Sequence, residues 1–357
     1  MSEKARVGKT AVLCFSPSEG GMEHDAAFMA QKIRQHLGDC LLVVRQGTWL
    51  ERFARDNAIP CEAIDFRGNF SLKAIRALRR LWRREAIRNV IFLGSSEMRS
   101  IHFSLVAPVA RFIVRHGTTK SASKQDLVHR LTWSRVTTHW CISEHLRRNV
   151  EALFPVGRAA MFVNPVGLGD KLRYLPPAKW LTPEDDSLRL VHVGRLVPGK
   201  GQRDALTVIA RLNARGVPAT LTLYGEGPDR AELEARIDRL CLAKVVSLAG
   251  HVPHPYQHFG DFHGMLYPSY GEGFGNAFVE GLATGMHGFS YDNTVFPELR
   301  SLGLDFHMLA DRQTEALVDA IEAVWRERLP LPTHNISLCR ELFSVEREMA
   351  VLADYLV

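Results

Sequence analysis

The chain has no run of about 18 apolar residues, and its polar amino-terminal stretch, Met1 to Lys9, is not followed by an apolar segment long enough for a signal peptide. Neither a membrane-spanning helix nor a secretory leader is therefore expected. The six cysteines, at positions 14, 40, 61, 141, 241 and 339, include no close pair, which speaks for a reducing compartment rather than a disulfide framework. The expected location is the cytoplasm, or peripheral attachment to a membrane from its cytosolic side. No Gly-x-Gly-x-x-Gly follows the first expected strand, so a dinucleotide-dependent oxidoreductase is disfavoured. Internal repeats and low-complexity segments are absent as well.

What is present points to an α/β protein. A chain of 357 residues with 46% hydrophobic content can bury one or two cores, and its length favours two domains. Short apolar runs alternate with amphipathic stretches of helical length, the pattern of βα units around parallel sheets. Strands are predicted at Thr10–Phe15, Cys40–Val44, Val90–Leu93, Arg111–Val114, Trp140–Ser143 and Ala160–Val163. A second set is predicted at Leu188–Val193, Ala219–Tyr224, Val245–Leu248, Gly264–Tyr267 and His287–Ser290. Between the sets, Lys171 to Ser187 contains Pro176, Pro177 and Pro183 without periodicity, and reads as a linker. The expected domains are residues 1–170 and 171–340, with 341–357 forming a helix.

Two glycine-rich segments carry the chemistry. Pro268 to Gly281 follows an apolar strand and places Glu272 and Glu280 around Gly271, Gly273 and Gly275. Backbone can approach a ligand closely there, and a helix opening near Asn276 points free N–H groups toward a phosphate. Carboxylates so near an anion are better suited to accept hydrogen bonds from sugar and ribose hydroxyls. The bland alternative is an ordinary capped helix. The second segment, Gly194 to Gly201, spaces Gly194, Gly199 and Lys200 like a P-loop, but Gly201 stands where a Mg²⁺-binding Ser or Thr is needed. A kinase or ATPase is thus a poor reading. What survives is a cation pair, Arg195 and Lys200, able to clamp a diphosphate without metal.

These segments, with Tyr224-Gly225-Glu226-Gly227-Pro228 and Leu248-Ala249-Gly250-His251-Val252, resemble the retaining GT-B glycosyltransferases of the family 4 type, the group 1 glycosyl transferases. A thinner likeness in the first half rests on Glu19-Gly20-Gly21-Met22-Glu23, Arg115-His116-Gly117 and Val163-Asn164-Pro165-Val166-Gly167. The resemblance implies the GT-B fold, two Rossmann-like domains whose parallel sheets face each other across a cleft. The first domain would hold the acceptor, the second the nucleotide sugar, and the carboxyl-terminal helix would cross back onto the first.

The resemblance also implies site roles. Arg195, Lys200, Glu272 and His116 are the expected catalytic residues. Donor binding is expected from Gly20, Gly21, Gly194, Gly225, Glu226, His251, Val252, Gly273, Phe274, Gly275, Asn276 and Glu280. The expected activity is a retaining, metal-independent hexosyltransferase without cofactor, using a nucleotide sugar, expected to be a UDP-sugar. Two departures, Gly285-Met286-His287-Gly288 and the Tyr291 to Glu298 stretch, bear on the local shape of the donor pocket. The series His251, His254, His258 and His263 invites a zinc reading, but no cysteine stands nearby and the family needs no bound metal.

The net charge of +6 is concentrated in part on Leu72 to Arg88, where Leu72, Ile75, Leu78, Leu81 and Trp82 recur at helical spacing. Lys73, Arg76, Arg80, Trp82, Arg83 and Arg84 are the expected contacts of this helix with an anionic membrane surface. The alternative is that its apolar stripe packs on the first domain and its arginines are solvated. No nucleic-acid motif accompanies the basic face. A cell-envelope glycan precursor, of lipopolysaccharide or lipid-linked type, is the expected acceptor. Two other readings stay open: a non-catalytic nucleotide-sugar-binding subunit, and an epimerase or hydrolase of sugar nucleotides on the same fold.

Overall fold

The computed structural model describes residues 7–66, 68–180 and 186–357. Residues 1–6, in the polar amino-terminal stretch, and 181–185, in the proline-containing linker stretch, lie outside the described residues. The chain divides into two compact units, one formed by Met1–Gly167 with Val345–Val357 and the other by Leu168–Ser344.

The first unit is built on seven parallel strands: β1 (Thr10–Cys14), β2 (Cys40–Arg45), β3 (Cys61–Ile64), β4 (Asn89–Leu93), β5 (Arg111–His116), β6 (Thr138–Cys141) and β7 (Ala160–Val163), in the order β3-β2-β1-β4-β5-β6-β7. The second has six: β8 (Leu188–Val193), β9 (Ala219–Tyr224), β10 (Val246–Gly250), β11 (Gly264–Tyr267), β12 (His287–Tyr291) and β13 (His307–Leu309), in the order β10-β9-β8-β11-β12-β13. Each order reverses direction beside its first strand, where Val12 of β1 lies between Leu42 and Ile91. That reversal is where ligands of open parallel sheets bind, beyond the carboxyl ends of the strands.

Both sheets are two Rossmann-like layers wrapped by helices, as the apolar runs require for strands covered on both faces. Two strands escape the apolar pattern. β3 is a short, half-buried edge carrying Glu62, and β13 has three half-buried residues. β6 begins at Thr138 rather than Trp140, because Thr138 and His139 are buried despite their polarity.

The carboxyl-terminal helix, Val345–Leu356, packs Met349, Leu352 and Leu356 into the core of the first unit with Ile33 and Val44. Burial of each such side chain is worth about 1.5–3 kcal/mol. Its polar groups are also tied down: Asn164 Nδ2 donates to the Glu348 carbonyl at 2.9 Å, and Lys32 Nζ pairs with the Glu348 carboxylate at 2.7 Å.

The basic helix of the first unit spans Leu72–Arg84 and is capped by Ser71. One of its expected membrane contacts needs correction. Trp82 is fully buried with Ala74, Ile75, Leu78 and Leu81, and its Nε1 donates to Ser104 Oγ at 3.3 Å, so it does not reach the surface. The cause is geometric, since Trp82 lies seven residues after Ile75 and four after Leu78, on the same inward face. Lys73 pairs with Asp65 and Arg84 with Glu62. Arg76, Arg80 and Arg83 stay exposed without an ion pair among the described residues.

Candidate active site

Three loops at the carboxyl ends of adjacent strands lock together in the second unit. The loop after β8, residues 194–201, runs between that strand and the helix Gln202–Ala214. Leu196 N donates to the Glu226 carbonyl at 3.0 Å, fastening this loop to the turn after β9, and Gln202 Nε2 holds the Arg195 carbonyl at 2.9 Å. Gly225 sits where a Cβ would lie 1.9 Å from the Gly194 carbonyl oxygen, so only glycine permits this approach. The turn after β11 closes from the other side: Tyr270 N donates to the Gly199 carbonyl at 2.8 Å, and Ser269 Oγ lies 3.1 Å from the same oxygen. The turn bearing the two cations is therefore braced on both flanks.

This bracing brings together residues 72 positions apart. Lys200 Nζ donates to Glu272 Oε1 at 2.5 Å, and Ser269 Oγ donates to the same carboxylate oxygen at 2.9 Å. Glu272 is buried, and its carboxylate can only accept hydrogen bonds. Arg195 is exposed beside this pair without an ion pair among the described residues. The sequence assigned Lys200 and Glu272 to different parts of a ligand; the structure joins them.

Beneath the pair, His192 is fully buried and stacks on Tyr267 at 5.2 Å. Its Nδ1 lies 2.9 Å from the Leu266 carbonyl, which only accepts, so the proton sits on Nδ1 and Nε2 presents a lone pair. Burial drives the His192 imidazole down to about 4 and keeps it neutral. The Tyr267 hydroxyl is pushed well above its ordinary value by burial and then by the Glu272 carboxylate, to which it is hydrogen bonded. Both rings thus supply fixed dipoles, not charge, under the loop.

Glu280 lies on the helix Asn276–Leu282, which Gly275 opens in a left-handed conformation. It is buried and paired with Lys171 from the turn Gly169–Arg173. Phe274 packs edge-on against Phe343 at 5.1 Å, fixing the Gly273-Phe274-Gly275 backbone, while Asn276 is exposed. Glu226 pairs with Arg230 at 2.7 Å, and Val252 is half-buried. The histidine series is dispersed: His251 is exposed, His254 bonds to Tyr256, His258 stacks on Tyr224, and His263 is buried against Arg189. Among the described residues no three His, Cys, Asp or Glu side chains gather as a metal-binding group.

In the first unit, Gly20 precedes the helix Gly21–His36, and the position of a Gly21 Cβ meets open space. His116 ends β5, is buried, and shares a 3.0 Å hydrogen bond between its Nε2 and His139 Nδ1. Trp133 lies parallel to the His139 ring, at 2° and 5.9 Å, and stacks on His116. Burial lowers both imidazoles, His116 well below its ordinary value with His139, Lys120 and Lys124 adding to the effect, and His139 to about 4. A neutral His116 can offer a hydrogen bond or a ring face but not a cation.

Sequence reasoning did not single out Ser269, His192, Lys171, His139 or Trp133. Ser269 lies within the segment Pro268 to Gly281, but no role is read for it there. The others act through partners distant in sequence, and only the order of the strands reveals them.

The family described as Glycosyl transferases group 1 matches residues 187–327. Among curated relatives, the chain is 27% identical over 199 residues to the phosphatidylinositol N-acetylglucosaminyltransferase gpi3 subunit of Schizosaccharomyces pombe, covering 55% of this chain and 42% of that protein. It is 29% identical over 148 residues to a GDP-mannose-dependent alpha-(1-6)-phosphatidylinositol dimannoside mannosyltransferase of Mycobacterium tuberculosis, covering 41% of this chain and 37% of that one. The chain thus spans about two fifths of the length of these relatives. Among solved structures, Anabaena Alr3699/HepE in complex with UDP and glucose superposes with a TM-score of 0.81 at 16% identity, over 98% of this chain and 99% of that chain. The fold is that of the GT-B glycosyltransferases, and the family resemblance read from the motifs stands. No helix among the described residues is long and apolar enough to cross a membrane.

Proposed function

We propose that this chain, a group 1 glycosyl transferase by its second unit and GT-B by fold, moves a sugar from a nucleotide-sugar donor to a glycan or glycolipid acceptor with retention of configuration and without metal. The observation that carries this reading is the cluster Lys200, Glu272 and Ser269 beside exposed Arg195, at the carboxyl ends of the adjacent strands β8 and β11. A diphosphate needs cations that do not depend on a metal, and a sugar needs ionised acceptors for its hydroxyls; the cluster offers both within one braced turn.

In the proposed reaction the bond from the anomeric carbon to the diphosphate oxygen breaks as the bond to the acceptor oxygen forms on the same face. The acceptor proton passes to a phosphate oxygen, so no protein nucleophile is consumed. Arg195 and Lys200 stabilise charge building on the departing diphosphate, Glu272 orients sugar hydroxyls, and Glu280 accepts from the ribose. His116, kept neutral by burial, is the proposed contributor of the first unit to the reaction. UDP is the proposed nucleotide of the donor, supported by the UDP held in the Anabaena neighbour, whereas one curated relative is GDP-mannose-dependent. A cell-envelope glycolipid or lipopolysaccharide precursor at the cytosolic membrane face is the proposed acceptor.

The test is donor consumption. Incubation with UDP-, GDP- and ADP-linked hexoses and an envelope glycolipid extract is expected to release one nucleoside diphosphate, equally with and without EDTA. Glu280→Ala is expected to raise the donor KM by about tenfold, the value of one charge-assisted hydrogen bond. An unchanged donor KM in that variant removes Glu280 from the ribose site, and EDTA-sensitive turnover contradicts metal independence.

A further inference from the structure

A second polar cavity lies in the first unit, away from the loops described above. Its volume is about 310 Å³, and Asn69, Ser95, Ser96, Arg99, Lys124 and His129 are among the residues that line it. The charges around it do not balance. His129 Nδ1 is hydrogen bonded to the Asp126 carboxylate, and the buried Glu97, next in sequence to Ser96 and Met98, is paired with Arg45 at 2.9 Å. Arg99 and Lys124 have no carboxylate partner among the described residues. Two cations without a carboxylate partner, in a cavity lined by the hydroxyls of Ser95, Ser96 and Thr132 and the amide of Asn69, form a donor set that suits a tetrahedral oxyanion.

Lys124 is the more telling of the two. It is half-buried, with Nζ 5.9 Å from the centre of the Trp133 ring and 5.5 Å from that of Phe154. Burial lowers its ammonium below the ordinary lysine range, Lys120 adding to the effect, so a bound anion would restore what desolvation removes. Trp133 in turn stacks on His139 and His116. The cavity is thereby joined by contiguous rings to the residue assigned to the sugar in the first unit.

Exposed apolar side chains neighbour the lining residues in the chain. Phe70, next to Asn69, and Phe103 are exposed and meet edge-on at 6.2 Å, and Leu127 and Leu131 are exposed on the helix Leu127–Trp133 that also supplies His129 and Thr132, Leu127 being 81% exposed. A cavity of this size is at the lower limit for ligand pockets and admits one small group.

We propose that this cavity is an anion anchor for the acceptor, taking a phosphate ester through Arg99 and Lys124 while these exposed apolar side chains receive what the phosphate is attached to. This rests on the transferase reading for the word acceptor, but the anion site itself does not. A phosphorylated soluble glycan and a phospholipid headgroup present the same chemistry, and the probes separate them.

The full chain is titrated with glycerol 1-phosphate, and separately with phosphatidylcholine vesicles with and without phosphatidylglycerol. The expected result is saturable binding of one or both anionic probes, weakened at least tenfold in Arg99→Gln and in Lys124→Gln, and largely kept in Lys124→Arg. Stabilisation by nucleotide is expected to be unchanged in all three, which also shows that they fold. Binding of glycerol 1-phosphate assigns the site to a soluble phosphate ester, and binding of anionic vesicles alone assigns it to a lipid headgroup. Absence of both, or binding indifferent to both glutamine variants, overturns the proposal. Anion binding that behaves as expected in a chain that binds no nucleotide would instead count against the transferase reading and leave the anchor in place.

Discussion

Lys200→Ala lowers sugar transfer by about 10²–10³-fold, the size of effect found when one preorganised donor to a developing anion is removed. The loss falls on turnover more than on donor KM, because the charge Lys200 meets grows as the diphosphate leaves. A structural cost accompanies it, since Glu272 is buried and loses the ammonium that lies 2.5 Å from it. Ser269 still donates to that carboxylate and Lys200 is partly exposed, so the cost is about 1–2 kcal/mol. Steady-state rates and thermal midpoints measured on the same preparation separate the two effects. A midpoint lowered by a few degrees with normal turnover would assign Lys200 a purely structural role.

Gly201→Ala is expected to have a large effect on folding. Gly201 has a positive φ of 80°, and a Cβ there would lie 2.0 Å from the Pro268 carbonyl oxygen and 2.4 Å from its carbon. Backbone, not a movable side chain, blocks the methyl group. To admit it, the loop after β8 must part from the turn after β11, and the hydrogen bond of Tyr270 N to Gly199 goes with it. A loss of about 3–5 kcal/mol is expected, together with loss of nucleotide binding. Gly199→Ala is the matched control, because φ is also positive there, at 91°, but a Cβ meets nothing within 4 Å. Conformational strain alone then costs about 1–2 kcal/mol. Urea unfolding of the two variants gives the comparison, and equal losses would mean that the contact with Pro268 is not what requires glycine at 201.

Much of this architecture is legible in the sequence because glycine-rich turns follow apolar strands, and the central strands that read as buried runs are buried, whereas the edge strands β7 and β10 are largely half-buried or exposed. The loops after β8, β9 and β11 are recognisable one at a time from Gly194 to Gly201, Tyr224 to Pro228 and Pro268 to Gly281. Their mutual locking is not, since Lys200 meets Glu272 only because β8 and β11 are neighbours in the sheet. The pairing of Lys171 with Glu280 spans 109 positions and has no local signal. His139 reads as a polar residue at a strand edge, and its burial against His116 and Trp133 depends on three segments meeting. Trp82 is the converse case. Periodicity puts it on the apolar face correctly, but whether that face meets a sheet or a membrane is decided by what lies opposite, here Ser104 of the helix Met98–Ser104.

The most direct test of the central claim is thermal unfolding of the full chain in the presence of UDP, GDP, ADP or CMP, at concentrations well above the expected dissociation constants. A ligand at about 100 times its dissociation constant adds roughly 2.7 kcal/mol to the native state. A selective upward shift with one nucleoside diphosphate, UDP, that is reduced in Glu280→Ala is the expected result. Midpoints unmoved by all four nucleotides would contradict the claim.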